Sequence, residues 1–415
     1  MNEVFSYQTI EKEKMMGKFS KRLLRVLTVG MAGLALAGCS VAKSGGSKGT
    51  HQDKDVVKVG INIELSGTAA GYGSAEKQGI VLAASEINKA GGINVNGHKK
   101  KLKLLIRDNK SAIATSASVA AQLATKDKVA AVIGPATTNC GTAEIPNITK
   151  ASVPGISPSA TDPNYTRQKN GKVQPYVFRA CFQDTFQGKS AAKFVTDKLK
   201  AKRVAVYADN SSDYGTGLAK AFKDTYKGKI VDSQTYSAGD KDFNAVLTSF
   251  KSKKIDAIYV PGYYTELGLI IKQARQMGIK APIVGGDGMC DPKLVQISGA
   301  KNATDIYYTT PFSTNVAAKN PDSKAAKFIK AYKARYHADA PTFSALAYDA
   351  VYLVKTAIEE QKSDDSVKIT EGLAKIKDFD GVTGRITMDK FHNPEMPIAI
   401  EKLTNGKVSD SFRVE

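Results

Sequence analysis

VIGPATTNCG, Val132 to Gly141, decides how this 415-residue chain is read. A short apolar run ends in Gly-Pro, hydroxyl-bearing residues follow, then a cysteine, and a helical pattern begins. Strand, glycine turn and helix start make the unit from which parallel sheets are built. The helix start also offers free backbone N–H groups to an anion. That anion could be a phosphate, a reaction's oxyanion or something blander, and the rest of the chain has to decide.

Outward from this stretch the same unit recurs. VVKVGINI, KLKLLIR, VAAVIG and VPGIS read as strands. Between them Ile80, Ala83, Ala84 and Ile87 repeat at helical spacing and Gly91-Gly92 stops the helix; Ala117 to Leu123 is helical too. AEIPNITKA is a further helix, and Pro146 predicts a short first turn or a kink there. A second series of strands, AKRVAVYA, KIVDSQTY, IDAIYV and APIVGG, alternates with helices over 188–199, 214–226, 243–251 and 265–277. Two long helices follow, 323–336 and 343–360. A strand pair around Gly384 to Met388 and Ile398 to Leu403 closes the chain, with Asn405-Gly406 as a hairpin turn. The fold class is therefore α/β, with two doubly wound parallel-sheet lobes of similar rhythm.

Composition fits two ordinary globular lobes, at 42% hydrophobic and 24% charged residues. The first residues differ. Lys18, Lys21, Arg22 and Arg25 precede the apolar run Leu27 to Ala37, and Leu36-Ala37-Gly38-Cys39 matches a bacterial lipobox. The expectation is a signal peptide over 1–38, a lipid on the Cys39 sulfur and a flexible Gly/Ser/Lys tether over 39–55. Glu3, Glu11 and Glu13 are out of place in a basic leader, which puts the expected start at Met15 or Met16. The net charge is +20; the leader holds six basic and three acidic residues, so about +17 stays with the mature chain. Scattered lysines without interleaved aromatics argue against nucleic acid. For an extracytoplasmic protein held on a cell membrane, expected to be Gram-positive, anionic lipids or wall polymers account better for that charge.

Catalytic equipment is missing. His98, His337 and His392 stand far from any candidate nucleophile, and no HExxH, GxSxG, phosphate-binding GxxxxGK[ST] or zinc-type Cys/His spacing occurs. Cys140 at a helix start could be an activated thiol, but no base accompanies it. Cys140, Cys181 and Cys290 are an odd set and cannot all pair. No enzyme, metal or cofactor is expected; ligand capture is.

Open α/β sheets bind ligands at the carboxyl ends of their strands. In the first lobe those ends carry Ser66-Gly67 to Tyr72-Gly73, Thr137-Thr138 and Ser157 to Thr161, rich in hydroxyls and free N–H groups. In the second they carry Tyr207, Asp209 to Tyr214, Pro261 to Tyr264 and Gly285 to Gly288, with tyrosine rings and one acid at a glycine-rich turn. An anion site facing an acid and aromatic walls describes an α-amino acid.

At these residues the chain resembles the Leu/Ile/Val-binding proteins of ABC importers, within the type I periplasmic binding proteins. SGTAAGYG, EINKAGGI, VIGPATT, ISPSAT, YADNSSDYGTGLA, AGDKDFNAVL, VPGYYTELG, GGDG and ALAYDA carry the likeness, in family order, over nearly all of the mature chain. The resemblance implies a Venus-flytrap fold hinged by three crossings near Cys181, Pro311 and Phe391 to Pro394. The first lobe would then be 56–181 with 312–392, and the second 182–311 with 393–415. It implies that Thr138 and the Thr161 N–H hold the ligand carboxylate, while the Thr161 hydroxyl, the Ser159 carbonyl and Asp287 hold the ammonium. Tyr72, Tyr214, Tyr263, Phe343 and Ala136 would enclose the side chain. Asp287 stands where family members often carry Glu, which shortens the acid's reach, and Ala136 replaces a bulkier residue of some relatives, which widens the pocket. Expected partners are a branched-chain amino acid, an ABC permease and the membrane through the lipid, with the protein a monomer. The competing readings are another amino acid or an amide or urea-like solute in the same fold, and a sensory or adhesive surface lipoprotein.

Overall fold

Six strands form the first sheet: β1 (Val56–Ile63), β2 (Ile93–Val95), β3 (His98–Asp108), β4 (Ala131–Ile133), β5 (Gly155–Ser157) and β6 (Val177–Arg179). The computed structural model describes residues 53–317 and 319–414. The expected signal segment 1–38, the Cys39 lipidation site and most of the tether lie outside the described residues. The strand order is β2-β3-β1-β4-β5-β6, parallel apart from the β2–β3 pair. The second sheet is built from β7 (Arg203–Asp209), β8 (Lys229–Tyr236), β9 (Ala257–Tyr259), β10 (Ile283–Gly285) and β11 (Ile306–Thr310). Their order, β11-β10-β9-β7-β8, repeats that of the first sheet, with every pair parallel.

In each sheet the first strand of the series has its second and third strands on opposite sides. The order therefore reverses beside β1 in one lobe and beside β7 in the other. A crevice opens at such a reversal, at the carboxyl ends of the strands. Glu64 and the turn after β4 sit at the first reversal; Asp209 and the turn after β9 sit at the second.

The short strands β4, β5, β6, β9, β10 and β11 are buried along their whole length because helices cover both faces of each sheet. On one face of the first sheet Ile61, Ile63, Ile133 and Ile156 pack with Ala347, Ala350 and Val351; on the other Val132 packs with Leu123, Ile145 and Ile148. Truncating one such isoleucine to alanine costs about 2–5 kcal/mol. The helices Ala70–Lys89 and Thr342–Gln361 approach so closely that a Cβ on Gly79 would collide with the Ser344 carbonyl. In this way a helix late in the sequence completes the first lobe.

The chain passes between the sheets three times, between Arg179 and Asp184, between Thr310 and Lys324, and between Met388 and Ile398. Around the last crossing the expected closing pair is rearranged. β12 (Phe379–Asp380), β13 (Arg385–Met388) and β14 (Pro394–Glu395) form a small sheet of their own. β15 (Ile398–Thr404) instead pairs with β11 and with β16 (Lys407–Val414). Asn405 and Gly406, at φ 49° and 74°, supply the left-handed two-residue turn that makes this hairpin.

The helix after VIGPAT also differs from expectation. It runs unbroken over Thr138–Lys150 and includes Pro146. Pro146 lies on the exposed side, while Cys140, Gly141, Glu144, Ile145 and Ile148 are buried on the other. Packing of that face outweighs the amide hydrogen bond that proline lacks.

Candidate functional site

The turn after β4 already holds a carboxyl group. Glu64, at the carboxyl end of β1, accepts from the Ala136 N–H at 2.9 Å, the Thr137 N–H at 3.1 Å and the Thr137 hydroxyl at 2.8 Å. Glu64 is fully buried; burial raises its pKa and those donors pull it back. Part of the anion site read from VIGPATTNCG is thus filled from within. Thr138, one residue further, is buried at the head of its helix, and its hydroxyl bonds none of the described residues.

The SPSAT turn is braced in the same manner. The Ser157 hydroxyl donates to the Pro135 carbonyl at 2.6 Å and accepts from the Ala160 N–H at 2.8 Å. The Ser159 hydroxyl donates to the Ala136 carbonyl at 2.8 Å and shares a 2.6 Å hydrogen bond with Glu76. Burial lifts the Glu76 carboxyl well above its usual range. Thr161 is fully buried; its carbonyl accepts from the Asp184 N–H at 2.9 Å, and its hydroxyl has no hydrogen bond of ordinary geometry.

In the second lobe the acid and the aromatics form one unit. Tyr214, in the first turn of the helix Asp213–Thr225, donates its hydroxyl to Asp287 at 2.8 Å and accepts from the Gly288 N–H at 2.8 Å. Its ring stacks on Tyr263, centroids 5.0 Å apart at 7°. Gly286 permits this approach, since a Cβ there would run into the Tyr214 hydroxyl and Leu218. The Asp287 N–H donates to Gln187 at 3.0 Å, and the Thr309 hydroxyl donates to the same oxygen at 2.6 Å. Burial raises the Asp287 carboxyl to about 6, against the Tyr214 hydrogen bond that lowers it.

Across the cleft the lobes touch directly. The Tyr72 hydroxyl donates to the Gly288 carbonyl at 2.6 Å and accepts from the Tyr264 N–H at 3.0 Å. The Gly71 N–H donates to the Tyr264 hydroxyl at 3.0 Å, and Asn139 donates to the Ser211 carbonyl at 3.3 Å. The Tyr72 ring lies 4.7 Å from Phe343 and 5.8 Å from Tyr263. Ala136, Tyr72 and Phe343 belong to the same apolar cluster as Tyr207 and Met289 of the other lobe, and Tyr263 packs against it. Tyr72, Phe343, Tyr263, Tyr214 and Asp287 are therefore linked contact by contact, and Ser159 joins them through Ala136. Thr161 adjoins Asp184, and Thr138 sits between Thr137 and Asn139, which line a cavity at the rim. That cavity, of about 130 Å³, opens between Thr137, Asn139, Asp209, Ser211 and Tyr263.

Cys140 lines that cavity too, but burial, and then the Glu64 charge, push its thiol up to about 12. A nucleophile needs the opposite shift. Cys140, Cys181 and Cys290 are all free thiols.

Four supporting residues escaped sequence reasoning: Glu64, Glu76, Asp184 and Gln187. Glu64 could have been flagged as the first residue past β1, and Asp184 and Gln187 as the polar positions just past the first crossing. Glu76 carries no such mark.

Comparison with known proteins follows the same outline. The model of the family described as periplasmic binding protein matches residues 56–407. The chain is 34% identical over 357 residues to the Leu/Ile/Val-binding protein BraC3 of Rhizobium johnstonii, covering 85% of this chain and 88% of that one. It is 30% identical to the leucine-, isoleucine-, valine-, threonine- and alanine-binding protein of Pseudomonas aeruginosa, covering 81% and 86%. Among solved structures, the branched-chain amino acid transporter substrate-binding protein LivJ of Streptococcus pneumoniae, in complex with isoleucine, is 47% identical with a TM-score of 0.82, covering 87% and 99%. The leucine-binding protein LivK of Thermotoga maritima is 31% identical with a TM-score of 0.78, covering 86% and 99%.

Proposed function

Because the chain belongs to the periplasmic binding protein family, we propose that it captures leucine, isoleucine or valine between its lobes outside the cytoplasm and delivers the amino acid to an ABC permease. The observation that carries this reading is the polarity of the cleft. Asp287 and Tyr214 present an acid on one side, and Tyr72, Tyr263 and Phe343 gather together in the cleft. The first lobe offers the Thr138 hydroxyl, which bonds none of the described residues, and the Thr161 hydroxyl, which has no bond of ordinary geometry. That set of groups fits ammonium, apolar side chain and carboxylate. The names of the relatives, and isoleucine in the pneumococcal structure, support the same class of ligand.

In this reading Thr138 and the Thr161 N–H take the carboxylate, and Asp287, the Thr161 hydroxyl and the Ser159 carbonyl take the ammonium. Ala136 widens the apolar end. The protein is a receptor rather than an enzyme, acts as a monomer, and is tethered to the membrane by lipid on Cys39. The lobes, 56–181 with 312–392 and 182–311 with 393–415, close as rigid bodies about the three crossings, and the permease responds to closure. Charge-assisted hydrogen bonds contribute roughly 1.5–3 kcal/mol each, and burying a branched side chain about 1.5–3 more. Four such bonds and that burial give on the order of 8–15 kcal/mol gross, before ordering costs. Micromolar capture needs about 8 kcal/mol.

Titration calorimetry across the twenty amino acids tests the reading. It expects micromolar or tighter binding of leucine, isoleucine or valine, and it fails if none of the three binds. Threonine and alanine are the next ligands to try, given the name of the Pseudomonas relative.

A further inference from the structure

Behind the Tyr214–Asp287 pair lies a second acid with no function so far. Asp184 opens the helix Asp184–Asp197 just past the first crossing and is fully buried. Its Oδ2 has no hydrogen bond, and Oδ1 accepts only a long one, 3.4 Å, from Gln187. Beside it stands Thr161, whose buried hydroxyl faces the Asp184 carboxyl and pulls its pKa down, though without ordinary hydrogen-bond geometry. Gln187 ties Asp184 to the Asp287 loop, because it accepts from the Asp287 N–H.

Two buried carboxyl groups that feel each other's charge call for a cation. Among the described residues no ion pair reaches Asp184 or Asp287. The nearby guanidinium, Arg179, bonds the carbonyl oxygens of Ala160 at 2.9 Å and Asp162 at 2.6 Å, and its charge favours the ionised Asp184 without forming an ion pair with it. The other groups that face Asp184 electrically are acids or phenols: Asp287, Asp162, Tyr214, Tyr259 and Tyr263, with the Cys181 thiol. The protein itself leaves this corner short of one positive charge.

We propose that Asp184 is a second acceptor for the ligand ammonium, acting with Asp287 and the Thr161 hydroxyl, and that it gives up a proton when the amino acid binds. This rests on the amino-acid reading of the cleft. Without a cation, burial holds the Asp184 carboxyl well above the usual carboxylate range, against the Thr161 hydroxyl that lowers it and with the Asp287 charge that raises it, and this favours the protonated form. An ammonium between the two carboxyls favours the ionised form, and the proton passes to solvent. Asp287, raised only to about 6, is mostly ionised at pH 7 and contributes little to that release. The ligand therefore enters as a zwitterion and one proton leaves.

The test is titration of leucine into the protein at pH 7 in two buffers of different ionisation enthalpy, for wild type and Asp184→Asn. Wild type is expected to release close to one proton per leucine. Asp184→Asn keeps the shape and the Gln187 contact, and is expected to release almost none and to bind leucine at least ten-fold more weakly. Wild type that binds leucine without proton release, or Asp184→Asn that binds within two-fold of wild type, overturns the role of Asp184 alone. Wild type that binds none of leucine, isoleucine and valine overturns the reading beneath it. If the variant does not fold, the wild-type proton count still decides.

Discussion

Both lobes bury acids beside the cleft, and Glu64 in the first is held differently from Asp287 and Asp184 in the second. Glu64 is capped by two N–H groups and a hydroxyl, whereas its neighbours Glu144 and Glu76 each have one donor, from Asn62 at 2.9 Å and Ser159 at 2.6 Å, and one oxygen without a hydrogen bond. Glu64 holds the turn after β4 in place. In the second lobe the Asp287 carboxyl has one close donor, the Tyr214 phenol, with Gln187 and the Gly288 N–H also lowering its pKa, and Asp184 has one long amide contact beside the Thr161 hydroxyl. On the proposed reading Glu64 braces the fold, and Asp287 and Asp184 receive the ligand ammonium. Glu64 and Asp287 have similar burial, so exposure alone does not separate these two; three donors on Glu64 against one on Asp287 do.

That contrast can be broken most severely at Asp287. Asp287→Ala leaves the ammonium without its nearest acid. Truncating one partner of a buried charge pair costs about 2–5 kcal/mol, so leucine affinity in titration calorimetry should fall about 30-fold or more. Thermal stability without ligand should hardly drop, because a carboxyl that costs energy to bury is removed. An unchanged affinity would place the ammonium elsewhere.

Glu64→Ala is the mirror experiment. It strips the Ala136 and Thr137 donors of their acceptor, at about 1–3 kcal/mol for each buried group left unmade. The melting temperature should fall by several degrees, while the fraction that remains folded keeps leucine affinity within a few-fold. A variant that keeps its stability but loses leucine would make Glu64 a ligand group and erase the contrast.

The smallest effect sharpens the second-lobe side through pH. The folded Asp287 carboxyl sits at about 6, above an unfolded value near 3.9. Its protonated form is therefore the one the ligand-free fold prefers, and that contribution to stability declines as pH rises from about 4 to 6. Ligand binding runs the other way, because the ammonium needs the ionised acid. If Asp184 releases its proton at neutral pH, leucine affinity should already fall by up to ten-fold per pH unit there, and Asp287 should steepen the fall below pH 6. A slope that does not steepen between pH 7 and 5 would remove Asp287 from the ammonium site.

Most of the architecture was legible because it is written locally. VVKVGINI and the Ile80–Ile87 spacing announce their elements within a few residues, and the repeated alternation implies parallel sheets. What stayed hidden depends on distance along the chain. The Glu64 partners lie 72 and 73 residues away, and the carboxyl that fills the VIGPATT turn cannot be read from the turn itself. The two-residue strands at Phe379 and Pro394 are too short to show a period. The edge strand KVSDSFRV is too polar to stand out from a loop. Of the site, the types and order of groups were readable, whereas the donors that cap each buried acid were not.

The most direct test of the central claim is a crystal structure of the protein with leucine bound. The account predicts the carboxylate against Thr138 and the Thr161 N–H, the ammonium within hydrogen-bond distance of Asp287, and the side chain between Tyr72, Tyr263 and Phe343. Leucine bound with its ammonium turned away from Asp287, or bound outside the cleft between the lobes, would contradict it.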